Sequence, residues 1–132
     1  MPIDQDALLA VWDAQLELLS RIAVEAGLEH APPGRRFFFE SELHRLAGEI
    51  LLCLESRDEA EERLRKALDL ARGHASPSLE LRAALSLAGH LRHAGHTDQA
   101  RGLVAGVYAA FTEGFETRDL VSARELLAQL GT

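Results

Sequence analysis

The chain has 132 residues, 47% of them hydrophobic, with 21 acidic and 14 basic side chains and a formal net charge of −7. This acidic balance argues against a nucleic-acid-binding protein, which needs basic side chains to meet the phosphates. We expect no signal peptide, no internal disulfide at the single cysteine, Cys53, and no membrane contact, because no apolar run approaches the ~20 residues that span a bilayer. The sequence therefore predicts one cytoplasmic domain over residues 1–132.

The first thirty residues predict a helix over residues 6–26. Its apolar side chains fall on one stripe of Leu8, Trp12, Leu16, Leu19, Ile22 and Ala26. Residues 1–30 carry six acids and one base, and so hold most of the net charge. We expect them to form an N-terminal packing helix that covers one end of the molecule.

The segment Phe37-Phe38-Phe39 comes next, after a proline- and glycine-containing loop at residues 30–34. It opens a second predicted helix, residues 38–54. Successive helical residues point about 100° apart, so three adjacent rings cannot all face one core. We expect at least one ring to be exposed or covered by the first helix, and we take the three as a candidate partner or homodimer interface.

Four further helices are predicted over residues 58–71, 78–93, 97–111 and 117–130, which makes six in all. Ser56 and Ser76 stand where side chains cap helices. Pro77 stands in a first helical turn, where proline is tolerated, and Gly95 ends a helix. The predicted fold class is all-α.

A pattern of small and aliphatic residues recurs within these helices. A small residue is followed by a second small residue twelve positions on, and then by residues four and seven positions further. The two copies are Gly48, Ala60, Leu64, Ala67 and Ala88, Ala100, Val104, Val107. Small side chains let two antiparallel helices approach closely, and this is the skeleton of the tetratricopeptide repeat. We predict a short solenoid of antiparallel helix pairs.

Four stretches carry a more specific resemblance. Glu42–Leu52, Ala60-Glu61 with Ala67–Ala71, Leu79–Ala84 and Thr112–Leu120 resemble the C-terminal tetratricopeptide-like repeats of large bacterial regulators. Those regulators join a nucleotide-cyclase or DNA-binding activator domain to a P-loop ATPase domain. The resemblance implies a first repeat at residues 38–74, a second at 77–112 and a capping helix at 117–130. It implies a regulatory or protein-interaction role, either for a free-standing chain or for the tail of a larger one.

Catalysis is not expected. The only lysine, Lys66, follows Arg65 inside a predicted helix, which excludes a P-loop. Glu59, Glu61 and Glu62 are expected on a solvated helix face, and Cys53 in the core or a groove. His90, His93 and His96 cluster at a helix end, but we expect them to interact with the last carbonyls of the helix and predict no metal and no cofactor.

The resemblance also implies a binding surface, because the first helix of each tetratricopeptide pair lines a concave groove. The corresponding positions are Glu42, Arg45, Glu49, Leu52 and Cys53 in one repeat and Arg82, Leu85, Gly89, Arg92 and His93 in the other. We take Glu42, Arg45, Glu49, Arg82, Arg92 and His93 as candidate contacts to a protein or peptide partner, with the arginines gripping carboxylates.

Three alternatives to this interpretation stay open. Arg45 and Arg82 could merely pair with Glu49 and neighbouring acids. The domain could instead sense a small anionic ligand between its helix layers, or serve as a homodimerisation domain. Gly102 and Gly106, four residues apart, further predict a close helix contact.

Overall fold

The computed structural model describes the backbone of residues 36–131 and the side chains of residues 39–131. This part of the chain is all-α. It contains five helices: α1 (Arg36–Cys53), α2 (Arg57–Gly73), α3 (Pro77–His93), α4 (Thr97–Tyr108) and α5 (Arg118–Leu130). They correspond to the second to sixth predicted helices, with ends that differ from the predictions by at most three residues. The predicted helix over residues 6–26 lies outside the described residues, as do the side chains of Phe37 and Phe38.

The same tight turn joins the first four helices. Its central residue has a positive φ each time, +62° at Glu55, +51° at Ala75 and +89° at Gly95. The N–H of the following residue donates to a carbonyl in the last turn of the preceding helix, at 2.8–3.0 Å. These bonds satisfy carbonyl groups that a helix end otherwise leaves unpaired. The turns lie twenty residues apart, so helix pairs recur every forty residues.

Ser56 and Ser76 hold the N-cap positions of α2 and α3, as predicted, and Pro77 occupies the first turn of α3. Neither serine side chain makes the capping hydrogen bond. The positions were therefore predicted correctly, while the interaction expected there is absent.

The helices pack in a regular order. Each contacts the next along the chain, α1 also contacts α3, and α3 also contacts α5. Within residues 36–131, α2 and α4 do not touch each other. The odd-numbered helices therefore form one continuous row. We call the surface along this row the α1/α3/α5 face.

Small residues lie where the helices cross. Ala60, Ala88 and Ala100 are fully buried. A Cβ atom added to Gly48 would come within 2.7 Å of the Leu64 side chain, so α1 and α2 approach as closely as the residue pattern predicts. The prediction for Gly102 and Gly106 is wrong, because both are exposed and nothing lies within 4 Å of a Cβ at either position.

Within the described residues, no helix is both long and apolar enough to cross a membrane.

Candidate functional site

The centre of the α1/α3/α5 face is an ionic network around Glu42. On α1, both carboxylate oxygens of Glu42 accept hydrogen bonds from Arg45, at 3.0 and 3.1 Å. From α3, Nη1 of Arg82 donates to Oε2 of Glu42 at 3.0 Å. The hydrogen bond with Glu42 raises the pKa of Arg45, although partial burial opposes the shift. One carboxylate thus joins two arginines from two helices.

The network continues to α5. Arg82 Nε donates to Oδ2 of Asp119 at 3.1 Å, and Arg45 Nη1 lies 3.4 Å from the Ser86 hydroxyl. Arg45 and Arg82 therefore do pair with acids, as one of the sequence interpretations held, and the acids are Glu42 and Asp119. The sequence analysis did not single out Asp119, which lies within the Thr112–Leu120 stretch that carried the resemblance.

A cleft of about 300 Å³ lies against this network. Its lining includes Arg45, Arg82, Leu85, Asp119 and Arg118. Arg118 is exposed, and it forms no salt bridge with any described residue. Its guanidinium can therefore meet an incoming anion without first breaking a salt bridge to the described residues.

A second cleft, of about 420 Å³, lies between α1 and α3, toward their C-terminal ends. We call it the α1–α3 cleft. Half-buried Leu52 and Leu85 provide apolar surface in it. Its other lining residues include Cys53, Gly89, the charged Glu49, Glu55 and Arg57, and the histidines His90 and His93. Cys53 is exposed there, which agrees with the predicted groove rather than with the core.

The predicted contact residues are thus divided between two places. Glu42, Arg45 and Arg82 meet in the ionic network, whereas Glu49 and His93 line the α1–α3 cleft. Arg92 lies apart from both groups and donates to the side-chain oxygen of Gln129 on α5 at 2.7 Å. Of the candidate aromatic interface, only the Phe39 side chain is described, and it is 37% exposed.

Arg57 lines a cleft but was not among the candidate residues from the sequence. It begins α2, is exposed and lines the α1–α3 cleft. Like Arg118, it has no salt bridge to the described part of the chain. The sequence signal for Arg57 is its place two residues after Glu55, the central residue of the turn. Both residues line the α1–α3 cleft.

Two histidines are buried next to charged groups. His90 Nε2 lies 3.0 Å from Oε1 of Glu61, and since an ionised carboxylate can only accept, this nitrogen donates. Partial burial raises the pKa of Glu61, but the hydrogen bonds from Arg65 and His90 outweigh it, and the pKa lies below its ordinary value. His44 Nδ1 accepts from Arg63 at 3.1 Å. From residue 36 to residue 131, no three His, Cys, Asp or Glu side chains are grouped so that they could hold a metal ion.

Comparisons of the chain with protein-family models, with curated proteins and with solved structures gave no match. Function is therefore inferred from the residues and contacts described above.

Proposed function

We propose that this chain is a non-enzymatic protein-interaction module of the tetratricopeptide type. In this proposal α1 with α2 and α3 with α4 are two successive repeats, and α5 is the capping helix. Support comes from the turn that recurs with the same geometry and from the small residues at equivalent crossings forty positions apart, such as Ala60 and Ala100. The regulatory role implied by the resemblance to bacterial regulators belongs to the same proposal.

The partner is a protein segment that carries acidic and apolar side chains. The observation behind this choice is the lining of the α1–α3 cleft, where Leu52 and Leu85 offer apolar surface beside the exposed Arg57. Arg118 adds a second exposed guanidinium at the neighbouring cleft. Although the chain is acidic overall, this face therefore presents two arginines that form no salt bridge with the described residues, and guanidinium groups bind carboxylates in a bidentate manner.

The proposal assigns no catalytic role to Glu61 or Glu42. A general acid needs a raised pKa, whereas the pKa of Glu61 is lowered by its hydrogen bonds to Arg65 and His90. Glu42 is occupied by two arginines. These groups stabilise helix contacts, and the exposed arginines do the binding.

Gly89 allows a direct test of the α1–α3 cleft. Nothing lies within 4 Å of a Cβ built on Gly89, so a larger side chain enters the cleft without a clash. Gly102 on α4 is equally open, is also helical, and lines neither cleft. Gly89→Met therefore obstructs the cleft, and Gly102→Met is its matched control.

The experiment is affinity purification from native cell extract, followed by mass spectrometry, with the original chain and both variants as baits. We expect a partner to be captured by the original chain and by Gly102→Met and to be lost with Gly89→Met. Equal capture by all three chains would remove the α1–α3 cleft from the proposal. Arg57→Ala, compared with the exposed Arg124→Ala on α5, tests the guanidinium in the same way.

Changing Arg45, Arg82 and Arg92 together to glutamate is a weaker test of binding than the Gly89 and Arg57 variants. Glu42 and Asp119 lie within 3.1 Å of the Arg45 and Arg82 guanidinium groups, so new glutamates at these two positions would create like-charge contacts inside the fold. Lost binding could then reflect lost packing. The ligand-sensor and homodimer alternatives stay predictions, checked by a ligand-dependent rise in melting temperature and by a concentration-dependent mass.

A further inference from the structure

The side of α1 that faces away from α3 carries exposed apolar residues. Leu46 and Ile50 have 47% and 46% of their surface exposed. They continue a helical spacing that starts at Phe39 and Leu43, so the four residues share one face. We call these four residues the α1 stripe. Exposed apolar stripes of this kind mark surfaces that another element covers.

The repeat itself indicates what kind of element covers the stripe. Residues forty positions further, in α3, are Leu79, Ala83, Ser86 and His90. Leu79, Ala83 and His90 are buried. Ser86 lies within hydrogen-bond distance of Arg45 on α1, and His90 bonds Glu61 on α2. The equivalent face of α3 is thus covered by the preceding helix pair, and the α1 stripe is where a preceding helix belongs.

The chain supplies one candidate for that place. Residues 1–35 precede α1 directly, and they include the helix predicted over residues 6–26 with its stripe from Leu8 to Ala26. A helix of that length extends about 31 Å, and α1 about 27 Å, at 1.5 Å per residue. Residues 27–35 are sufficient to reverse the chain between two antiparallel helices. The two helices are therefore similar in length, and their apolar stripes lie within reach of each other.

We propose that residues 6–26 dock on the α1 stripe and bury Leu46 and Ile50 against the side of the N-terminal helix that carries Trp12. In this arrangement the helix predicted over residues 6–26 packs against α1 as α2 packs against α3. The contact does not involve the α1/α3/α5 face, so it stands independently of the proposed function.

Trp12 is the only tryptophan, so tryptophan fluorescence reports on the surroundings of this one side chain. The full chain is compared with a Leu46→Glu, Ile50→Glu double variant. Leu46 and Ile50 are both exposed with respect to the described helices, so the two substitutions leave the α1–α2 contact intact. Far-UV circular dichroism checks that the helices are retained. The matched control is Ala105→Glu with Ala128→Glu, two exposed positions on α4 and α5 that add the same charge.

We expect Trp12 of the original chain to emit at short wavelength and to resist acrylamide quenching. The double variant should shift the emission to the red and raise quenching, and the control should do neither. Emission typical of solvent-exposed tryptophan in the original chain, or the same emission in the double variant, would overturn the proposal. So would emission that shifts on dilution together with a falling mass by light scattering, since a second copy would then occupy the stripe.

Discussion

Arg82 on α3 places Nη1 3.0 Å from Oε2 of Glu42 on α1, although forty residues separate the two positions. Forty residues is also the distance between successive helix pairs, so Glu42 and Arg82 hold the same place in successive pairs. Stacking therefore brings an acid and a base together that are far apart along the chain. This contact ties the two helix pairs at the centre of the α1/α3/α5 face.

Glu42 is expected to contribute more to stability than the other acid of the network. Its side chain is 13% exposed and holds two arginines, whereas that of Asp119 is 37% exposed and holds one. Glu42→Ala should lower the free energy of unfolding by about 1–3 kcal/mol, because it leaves partly buried charged donors unpaired. Asp119→Ala should cost less than about 1 kcal/mol, as exposed pairs do. Urea denaturation measures both, and equal losses would contradict this account of the network.

The turns at Glu55 and Ala75 are expected to be strained. Both adopt a positive φ, +62° and +51°, where a side chain costs about 1–2 kcal/mol, and the third turn has glycine at this position. Ala75→Gly should therefore raise the free energy of unfolding, by about 0.5–1 kcal/mol after the entropy cost of glycine. Ala94→Gly, one residue before the third turn at φ −79°, is the control and should lower it. A lower free energy of unfolding in both variants would contradict the expected strain at Ala75.

The helical glycines are expected to respond in opposite directions to alanine. Gly106 is exposed on α4 with nothing within 4 Å of a Cβ, so Gly106→Ala should stabilise the fold by about 0.5–1 kcal/mol through helix propensity. Gly48→Ala should destabilise it, because the new methyl carbon meets Leu64 at 2.7 Å between α1 and α2. Thermal denaturation of the two variants tests this. Stabilisation by Gly48→Ala would show that α1 and α2 can separate without cost.

His44 is expected to make stability fall in mild acid. Burial lowers its pKa below the ordinary value of 6.5, Arg63 and Lys66 lower it further, and Glu40 partly opposes them. As the pH falls through about 6.5, the unfolded chain therefore binds a proton that the folded chain does not, and the free energy of unfolding decreases. The free energy of unfolding stops decreasing only once the pH lies below the pKa of His44 in the folded state. Protonation would also oppose the hydrogen bond from Arg63 to Nδ1.

The variant His44→Asn tests this pH dependence, since its amide oxygen can still accept from Arg63 but does not titrate. We expect it to flatten the fall in stability between about pH 7.5 and pH 5.5. His93→Asn, at an exposed position on the same face as the clefts, serves as the control. An unchanged slope with His44→Asn would show that other groups set the acid response.

The helices and the crossings between them could be predicted because their signals are local. The spacing of Gly48 and Ala60 marks one helix crossing and that of Ala88 and Ala100 the next, and the burial of all three alanines agrees. The end of α4 could not be placed so well. No breaker occurs between Tyr108 and Gly114, so the sequence favours a helix to residue 111, whereas the observed helix ends at Tyr108.

The candidate site was predicted only in part. The resemblance to tetratricopeptide repeats singled out Glu42, Arg45 and Arg82, and these three residues do meet. Asp119 and Arg57 could not be found in that way. The groove positions inferred from the resemblance lie on α1 and α3, whereas Asp119 lies on α5 and Arg57 on α2. Each reaches the α1/α3/α5 face through packing against a distant part of the chain.

The sequence by itself determined the all-α class, the places of the five described helices to within three residues at each end, and the forty-residue spacing of the helix pairs. These depend on side-chain periodicity and on turn residues that act over a few positions. Only the tertiary structure decided which charges pair and which arginines, such as Arg57 and Arg118, are left exposed at the clefts. It also decided that Gly48 lies at a close crossing while Gly102 and Gly106 lie in the open. The reason is physical. A glycine or an arginine has the same local preferences wherever it stands, and its contacts depend on which helix packing brings against it.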